Sequence, residues 1–286
     1  MTALPEPLAP PGAQTFEVTV HRDGGVQAQS DWLAQEVPVA LVFNGISHAV
    51  MLASPGDLAD FALGFALTEG LLSDPSELYS VDIQPRPQGL ELQLTVSAAC
   101  EWRLRQRRRT LAGRTGCGLC GTDSLDQVIQ SHAPLADGPC VTRRALCEGQ
   151  RALRAHQRLQ QITGAAHAAA WVGLDGEIRL VREDVGRHNA LDKLLGALVS
   201  PPRLREPGQA GPRFDPADGL VCITSRASLE MVQKTAALGI ATLAAVSAPT
   251  ALAVERARAL HLTLAGFVRG DDLVVYSQPQ RILEGD

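Results

Sequence analysis

Apolar and polar residues in the first hundred positions are patterned as short strands around one helix. Two apolar runs, 37–43 and 46–52, flank Asn44-Gly45, the dipeptide most typical of a tight β-turn, and they predict a hairpin. Ser54-Pro55 then predicts the start of a helix, with Ser54 as its cap. We therefore expect a small α+β unit here, and its other predicted strands are residues 16–21, 79–83 and 90–96.

From about residue 141 onward, an apolar run, a polar turn and a helical stretch follow one another repeatedly. This alternation predicts an α/β layer in which the turns after successive strands gather at one edge of the sheet. Helix N-termini at such an edge present free N–H groups to anions. The predicted strands are 168–172, 178–181, 220–224, 240–246, 262–268 and 273–276. The predicted helices are 142–161, 189–199, 228–238 and 249–260.

The length and the apolar content set the domain organisation. A chain of 286 residues with 45% hydrophobic residues can bury one large core or two modest ones, which excludes disorder throughout. We predict a disordered lead over 1–15, a smaller α+β region over 16–140 and a larger α/β domain over 141–286.

Charge and targeting signals narrow the classes of partner and the compartment. A net charge of −5 gives no overall attraction to nucleic acid, and no basic n-region of a secretory signal precedes His21. The uncharged stretch between Lys234 and Glu255 is broken by Pro249, so we expect no membrane span. Six irregularly spaced cysteines do not form a disulfide framework. These features predict a cytoplasmic protein that binds neither nucleic acid nor membrane.

The positive charge is carried almost entirely by arginine. Among 26 basic side chains only Lys193 and Lys234 are lysines. Codon bias in a GC-rich genome explains most of this excess. Guanidinium groups nevertheless bind pyrophosphates and carboxylates bidentately wherever they line a pocket.

A glycine-rich loop over residues 114–121 contains the most chemically suggestive pair of residues, Cys117 and Cys120. Arg114 and the arginines just upstream would favour thiolate over thiol if they stay near, and thiolate is the reactive form. A structural zinc site would need four ligands, and the other cysteines form no second C-x-x-C. A thioredoxin-like redox pair, a nucleophilic cysteine that carries a covalent group, and two incidental loop cysteines all remain open.

Polar turns after the predicted strands supply candidate anion ligands. Arg187 and His188 follow one strand, and Arg226 and Ser228 follow the next. A third turn, 247–250, again offers hydroxyl groups and a helix N-terminus. Three such turns predict a nucleotide or another anionic ligand, although the chain contains no P-loop and no G-x-G-x-x-G motif.

Two charged pairs at i,i+4 spacing are expected on the helices that follow these turns. Asp192 is placed to orient the imidazole of His188, and Glu230 is placed to pair with Lys234. The usual role of such pairs is a surface salt bridge or a helix cap.

His167 stands at the start of an apolar run and invites comparison with a zinc deaminase. That class of enzyme shows H-x-E followed later by P-C-x-x-C. Here Ala169 occupies the acid position, and the C-x-x-C precedes His167. Deaminase chemistry is therefore disfavoured, and no metal ligands are predicted.

Taken together, these segments resemble the formate dehydrogenase accessory sulfurtransferase family (FdhD). The resemblance extends from about Glu36 to Arg281, and such an ordered set of motifs is highly specific. The matching stretches are 36–46, 64–65, 69–70, 114–121, 163–164 with His167, 183–193, 225–234 and 247–250.

The resemblance implies an α/β fold with a cytidine-deaminase-like three-layer main domain without zinc, next to a smaller α+β domain. It implies a cytoplasmic homodimer that acts as a sulfur carrier. A cysteine desulfurase would supply persulfide sulfur, which passes to the molybdenum bis-guanine-dinucleotide cofactor before that cofactor enters formate dehydrogenase. A non-catalytic chaperone that binds the same guanine-nucleotide-type ligand without sulfur chemistry is the alternative.

The resemblance also assigns roles to residues. It makes Cys117 the persulfide cysteine and Cys120 a second thiol. It places the cofactor-binding segment on Phe267-Val268-Arg269-Gly270-Asp271-Asp272. Two acidic residues are unexpected in a segment that meets an anionic cofactor. Residues in the other matched turns complete the candidate binding set, which is Arg114, Arg187, His188, Arg226 and Ser228.

Overall fold

A computed structural model describes residues 11–111, 132–205 and 215–284. Seven α-helices and fourteen strands lie within these ranges. Three residues of the predicted site, Arg114, Cys117 and Cys120, lie outside the described residues together with the rest of their loop.

A long two-stranded hairpin comes first. Strands β1 (Ala13–Arg22) and β2 (Gly25–Ala34) pair antiparallel along their whole length. The predicted disordered lead over 1–15 is therefore wrong at its end, because residues 13–15 are paired with residues 32–34 of β2.

A four-stranded sheet with the strand order β4-β3-β6-β5 forms the smaller unit. Strands β3 and β4 are joined through Asn44 and Gly45, whose φ angles of 46° and 77° confirm the predicted tight turn. The helices α1 (Leu58–Thr68) and α2 (Ala98–Leu111) contribute Phe61, Leu63 and Leu104 to its core. The strands are β3 (Val37–Phe43), β4 (Ile46–Ala53), β5 (Leu78–Arg86) and β6 (Gly89–Val96).

The predicted start of α1 is wrong. The helix begins at Leu58, after Asp57 in a left-handed conformation with φ 54°. Ser54 is buried instead, its N–H donates to Asp184 Oδ2 at 2.9 Å, and its Oγ accepts from Val185 N at 3.1 Å. Hydrogen bonds to a distant part of the chain replace the local cap that the sequence pattern favours.

A six-stranded sheet with the order β13-β12-β11-β10-β8-β9 forms the larger unit. Strands β10, β11 and β12 are parallel, and β8 runs antiparallel to both of its neighbours. The strands are β8 (His167–Gly173), β9 (Ile178–Asp184), β10 (Gly219–Ile223), β11 (Thr242–Ala245), β12 (Thr263–Arg269) and β13 (Asp272–Ser277). Two short strands, β7 (Val141–Thr142) and β14 (Ile282–Leu283), pair separately.

Helices cover both faces of this sheet and make three layers. Alternate strand residues such as Trp171 and Val221 pack with the helices α5, α6 and α7, whereas Ala170 and Cys222 pack against α3. This arrangement confirms the expected α/β class. The helices are α3 (Arg143–His156), α4 (Arg158–Thr163), α5 (Arg187–Val199), α6 (Leu229–Ala237) and α7 (Ala251–Ala259). The single helix predicted over 142–161 is thus divided at Gln157.

The two units meet where α1 crosses α5, and we call this contact the seam. A Cβ atom added to Gly64 would lie 1.8 Å from the carbonyl oxygen of Asp192, and one added to Gly196 would lie 1.9 Å from that of Asp60. Both helices therefore need glycine at the crossing for their backbones to approach this closely.

Two buried lysines hold polar groups together across the seam. Lys193 Nζ lies 2.7 Å from Asp184 Oδ2 and donates to the carbonyl oxygen of Ser54 at 2.9 Å. Lys234 Nζ donates to Thr68 Oγ1, Glu69 Oε1 and Asp192 Oδ2, each at 2.9 Å, which uses all three of its protons. Each lysine thus connects the larger unit to the smaller one.

None of the helices in the described ranges is long and apolar enough to cross a membrane.

Candidate functional site

A cavity of about 780 Å³ opens at one edge of the six-stranded sheet, and we call it the edge cavity. Val185, Thr224, Val246 and Val268 line it at or just beyond the ends of β9, β10, β11 and β12. His167, the first residue of the antiparallel strand β8, lies among them. The turns that were expected to gather at one sheet edge therefore do so.

One face of helix α3 forms the opposite wall. Cys147, Gln150, Arg151 and Arg154 all line the cavity, and their spacing of three or four residues places them on one side of the helix. Leu146 is buried in the core behind them. The helix is amphipathic, and part of its polar face points to the cavity instead of bulk water.

Arginines give the cavity a positive rim. Arg151, Arg154 and Arg269 are exposed and line it. The Arg269 Nε donates to the carbonyl oxygen of Val246 at 3.0 Å, and its guanidinium carbon lies 5.8 Å from the centre of the Phe267 ring. Fixed guanidinium groups of this kind suit phosphate or pyrophosphate oxygens.

The segment predicted to bind the cofactor is built around an irregularity in β12. Phe267 has φ 51°, and the register with β13 shifts between Gly266 and Arg269. A bulge of this kind redirects side chains at the rim of a sheet. Phe267 is accordingly 40% exposed, while the neighbouring Val268 is 1% exposed. The bulge thus exposes the Phe267 ring next to Val268 and Arg269, which line the cavity.

One of the two acidic residues of this segment, Asp271, has a cationic partner. Arg151 donates to Asp271 Oδ1 at 2.5 Å and to the carbonyl oxygen of Gly270 at 3.1 Å. Arg143 donates to the carbonyl oxygen of Asp271 at 2.7 Å. Asp272 begins β13 and is exposed. The carboxylate of Asp271 is therefore paired with an arginine of the cavity wall and does not face an incoming anion alone.

Two histidines, His167 and His188, and one arginine, Arg187, lie near the start of β8. Burial lowers the pKa of His167, and the positive charges of Arg187 and His188 lower it further. Arg187 and His188 form the first turn of α5. Near neutral pH His167 therefore supplies an uncharged imidazole to the cavity wall.

The predicted pairing of His188 with Asp192 is wrong, and so is that of Glu230 with Lys234. His188 Nε2 lies 2.6 Å from Glu230 Oε2, whereas Asp192 contacts Lys234. Contact with His188 lowers the pKa of Glu230. Partners on neighbouring helices thus replace both pairs expected within one helix, because α5 and α6 pack side by side.

Arg226 and Ser228 lie in the turn after β10 and are not part of the cavity wall. Arg226 is exposed, and Ser228 precedes α6 without capping it. The structure therefore brings together 268–270 and His167 directly, and Arg187 and His188 through their proximity to His167.

The described cysteines do not supply an activated thiol to the cavity. Burial raises the pKa of Cys147, which lines it, and burial also raises the pKa of the neighbouring Cys222. Cys100 is buried elsewhere, and Cys140 is exposed. Within 11–111, 132–205 and 215–284 there is also no group of three or more His, Cys, Asp or Glu side chains arranged to hold a metal.

Sequence reasoning missed the contribution of α3. Gln150, Arg151 and Arg154 belong to a stretch that was predicted only as a polar helix, and their shared face was the available signal. Which way that face points depends on packing against the sheet. The same holds for Gln160 on α4, whose Oε1 accepts from Ala166 N at 2.7 Å inside the cavity wall.

Comparison with known proteins places this architecture in a family. The model of the FdhD/NarQ family matches residues 34–283. The protein named sulfur carrier protein FdhD of Variovorax paradoxus is 54% identical over 276 residues, covering 96% of this chain and 95% of the relative. The protein of the same name from Cupriavidus necator is 53% identical over 273 residues, covering 96% and 91%.

A solved structure shares the fold. The crystal structure of a candidate formate dehydrogenase accessory protein from Desulfotalea psychrophila superimposes with a TM-score of 0.73 and 24% sequence identity, covering 96% of this chain and 100% of that one. Because the family model spans most of the chain and relatives share more than half of its residues, the chain belongs to the FdhD/NarQ family.

Proposed function

We propose that the chain is a sulfur carrier required for formate dehydrogenase activity. In this proposal it accepts persulfide sulfur from a cysteine desulfurase and passes it to the molybdenum bis-guanine-dinucleotide cofactor before the cofactor is inserted. The names of relatives that share more than half of their residues with this chain support the general role. The chain would work in the cytoplasm as a homodimer.

The edge cavity is the observation that supports cofactor binding in this proposal. Its volume of about 780 Å³ falls within the roughly 300–1,000 Å³ range of small-molecule sites. Arg151, Arg154 and Arg269 line it and offer guanidinium groups to pyrophosphate oxygens, and Phe267, exposed next to the lining residues Val268 and Arg269, offers a ring on which a base can stack. A guanine nucleotide arm of the cofactor has both of these features.

The sulfur half of the proposal rests on Cys117. Its thiolate would attack the terminal sulfur of the desulfurase persulfide, which breaks that S–S bond, forms the Cys117 persulfide and releases the desulfurase thiolate. The described cysteines favour this assignment by contrast, because burial raises the pKa of Cys147 beside the cavity and keeps it protonated. Cys120 would act as the second thiol of the loop.

Complementation tests the proposal in the cell. A strain that lacks this protein should regain formate dehydrogenase activity with the wild-type chain and with Cys140→Ala, a matched change at an exposed cysteine. Cys117→Ala should restore almost none. Full activity with Cys117→Ala would overturn the sulfur step.

A cofactor chaperone without sulfur chemistry is the second candidate function. The observation in its favour is that the cavity wall holds the arginines of a binding site but no described thiol with a lowered pKa. For a pure chaperone, Cys117→Ala and Cys120→Ala would each keep most of the activity, whereas Arg269→Gln would lose it. The proposed carrier requires Cys117 and Arg269 together.

A further inference from the structure

Gln150 on α3 carries a buried polar atom without a partner in the described part of the chain. Its side chain lines the edge cavity and is only 8% exposed, yet its Oε1 accepts no hydrogen bond there. Leaving a buried acceptor unpaired costs about 1–3 kcal/mol. Buried polar groups in folded proteins are nearly always satisfied, so this one calls for an explanation.

The orientation of the Gln150 amide is fixed by its other end. Its Nε2 donates to the carbonyl oxygen of Ile223 at 3.3 Å. A backbone carbonyl only accepts, so the nitrogen must face Ile223 and the oxygen must face away. The free end of the side chain is therefore an acceptor that is closed off from solvent, and a ligand in the cavity reaches it only where the wall around it opens.

A neighbouring glutamine shows what a satisfied amide looks like in the same wall. Gln160 also lines the cavity, but its Oε1 accepts the N–H of Ala166 at 2.7 Å. The side-chain oxygen of Gln160 is thus hydrogen-bonded to the backbone, whereas the side-chain oxygen of Gln150 has no hydrogen-bond partner in the described part of the chain. Arg151 and Arg154 follow Gln150 on the same helical face, so an anionic ligand held by them would bring its remaining groups near Gln150.

We propose that Gln150 Oε1 accepts a hydrogen bond from the ring N–H of the nucleotide base held in the edge cavity. It would thereby select a base that carries a lactam, such as guanine. Adenine presents a ring nitrogen lone pair at the equivalent position, and this lone pair would repel Oε1. The inference rests on the proposed function and names the residue that sets its ligand specificity.

Calorimetric titration of the full-length chain with GDP and with ADP tests this assignment. The wild-type chain should bind GDP more tightly than ADP. Gln150→Met keeps the side-chain volume and removes the acceptor. It should lower the affinity for GDP about tenfold and change the affinity for ADP by less than about twofold. Gln84→Met, the same change at a glutamine on β5 that does not line the cavity, should keep the preference.

The possible results separate this inference from the proposed function. A GDP preference that survives in Gln150→Met, or an equal loss for both nucleotides, would overturn the role of Gln150 alone. If the wild-type chain bound neither nucleotide but still accepted sulfur, the ligand assignment and this inference would both fail, and the sulfur step would stand.

A change on the ligand keeps the test independent of protein folding. The 1-methyl derivative of GDP lacks the ring N–H and should bind the unaltered chain about tenfold more weakly than GDP. Binding as tight as that of GDP would contradict the proposal.

Discussion

The seam and the edge cavity both concentrate charge, but they hold it in opposite ways. In the seam, Lys193 is 1% exposed at its side chain, and its partner Asp184 is 0% exposed. At the cavity, the side chains of Arg151 and Asp271 are 53% and 84% exposed. The buried charges are fully partnered across two units of the chain, whereas the cavity arginines keep donors free.

This difference explains the uneven use of basic residues. Both lysines of the chain are buried in the seam, where a compact ammonium group lies close to oxygens of two residues at Lys193 and of three residues at Lys234. Arginines instead surround the cavity, where a planar guanidinium can exchange one anionic partner for another. A general bias towards arginine codons would not explain why the two lysines are both buried.

The largest effect should come from breaking the seam. Lys193→Met leaves the buried carboxylate of Asp184 without its cation, so we expect the free energy of unfolding to fall by about 3–5 kcal/mol. Urea denaturation measures this directly. Arg144→Met breaks an exposed ion pair with Glu148 and should leave stability nearly unchanged. Equal losses in the two variants would contradict the contrast between buried and exposed charge.

A substitution at the crossing of α1 and α5 should give the next largest loss of stability. Gly64→Ala places a methyl group where the backbone of Asp192 lies, so α1 and α5 must separate at a cost of about 1–3 kcal/mol. Gly56→Ala is the matched control, because a Cβ at Gly56 meets nothing within 4 Å. Thermal unfolding compares the two, and an unchanged melting temperature for Gly64→Ala would show that the close crossing is dispensable.

The sequence predicted local structure well and long-range partners poorly. The 37–43 and 46–52 hairpin was correct because its turn chemistry and its alternation are both local. Ser54 was misassigned as a helix cap because its partners, Asp184 and Val185, lie about 130 residues away. The predicted i,i+4 pairs, His188 with Asp192 and Glu230 with Lys234, were wrong for the same reason. Spacing within one helix does not show which side chains a neighbouring helix brings into contact.

At the cavity, arginine substitutions should affect binding far more than stability. Arg151→Gln should weaken GDP binding about tenfold and make it less sensitive to salt, because a charge-assisted contact is lost. Arg144→Gln lies on the same helix but pairs with Glu148, and it should leave GDP affinity unaltered. If Arg151→Gln destabilised the fold as strongly as Lys193→Met, the cavity arginines would be structural as well.

The smallest expected effect is a pH dependence from His167. Burial and nearby positive charge lower its pKa in the folded state, so the unfolded chain binds the proton more readily. Stability should therefore fall as the pH drops below 6.5, the ordinary histidine value, and His167→Gln should lose that part of the slope. Urea denaturation at pH 7 and at pH 5.5 measures it. His21→Gln, at an exposed histidine, should retain the wild-type slope.

The candidate site was predictable in its position but not in its composition. Polar turns after the strands do lie at one edge of the sheet, and residues 268–270 of the predicted segment 267–272 line the cavity there. Arg226 and Ser228 were drawn from an equally polar turn and do not line it. Gln150 and Arg151 were missed because the orientation of α3 is decided by packing on the sheet.

In the proposed function, sulfur is carried on Cys117 by a chain that holds its client in the edge cavity. Incubation with a cysteine desulfurase and sulfur-labelled cysteine, followed by peptide mass spectrometry, shows which cysteine accepts the sulfur. The proposed mechanism predicts labelled persulfide on the Cys117 peptide in the wild-type chain and in Cys140→Ala, and none on any peptide of Cys117→Ala. Equal labelling of Cys117→Ala and the wild-type chain would contradict it.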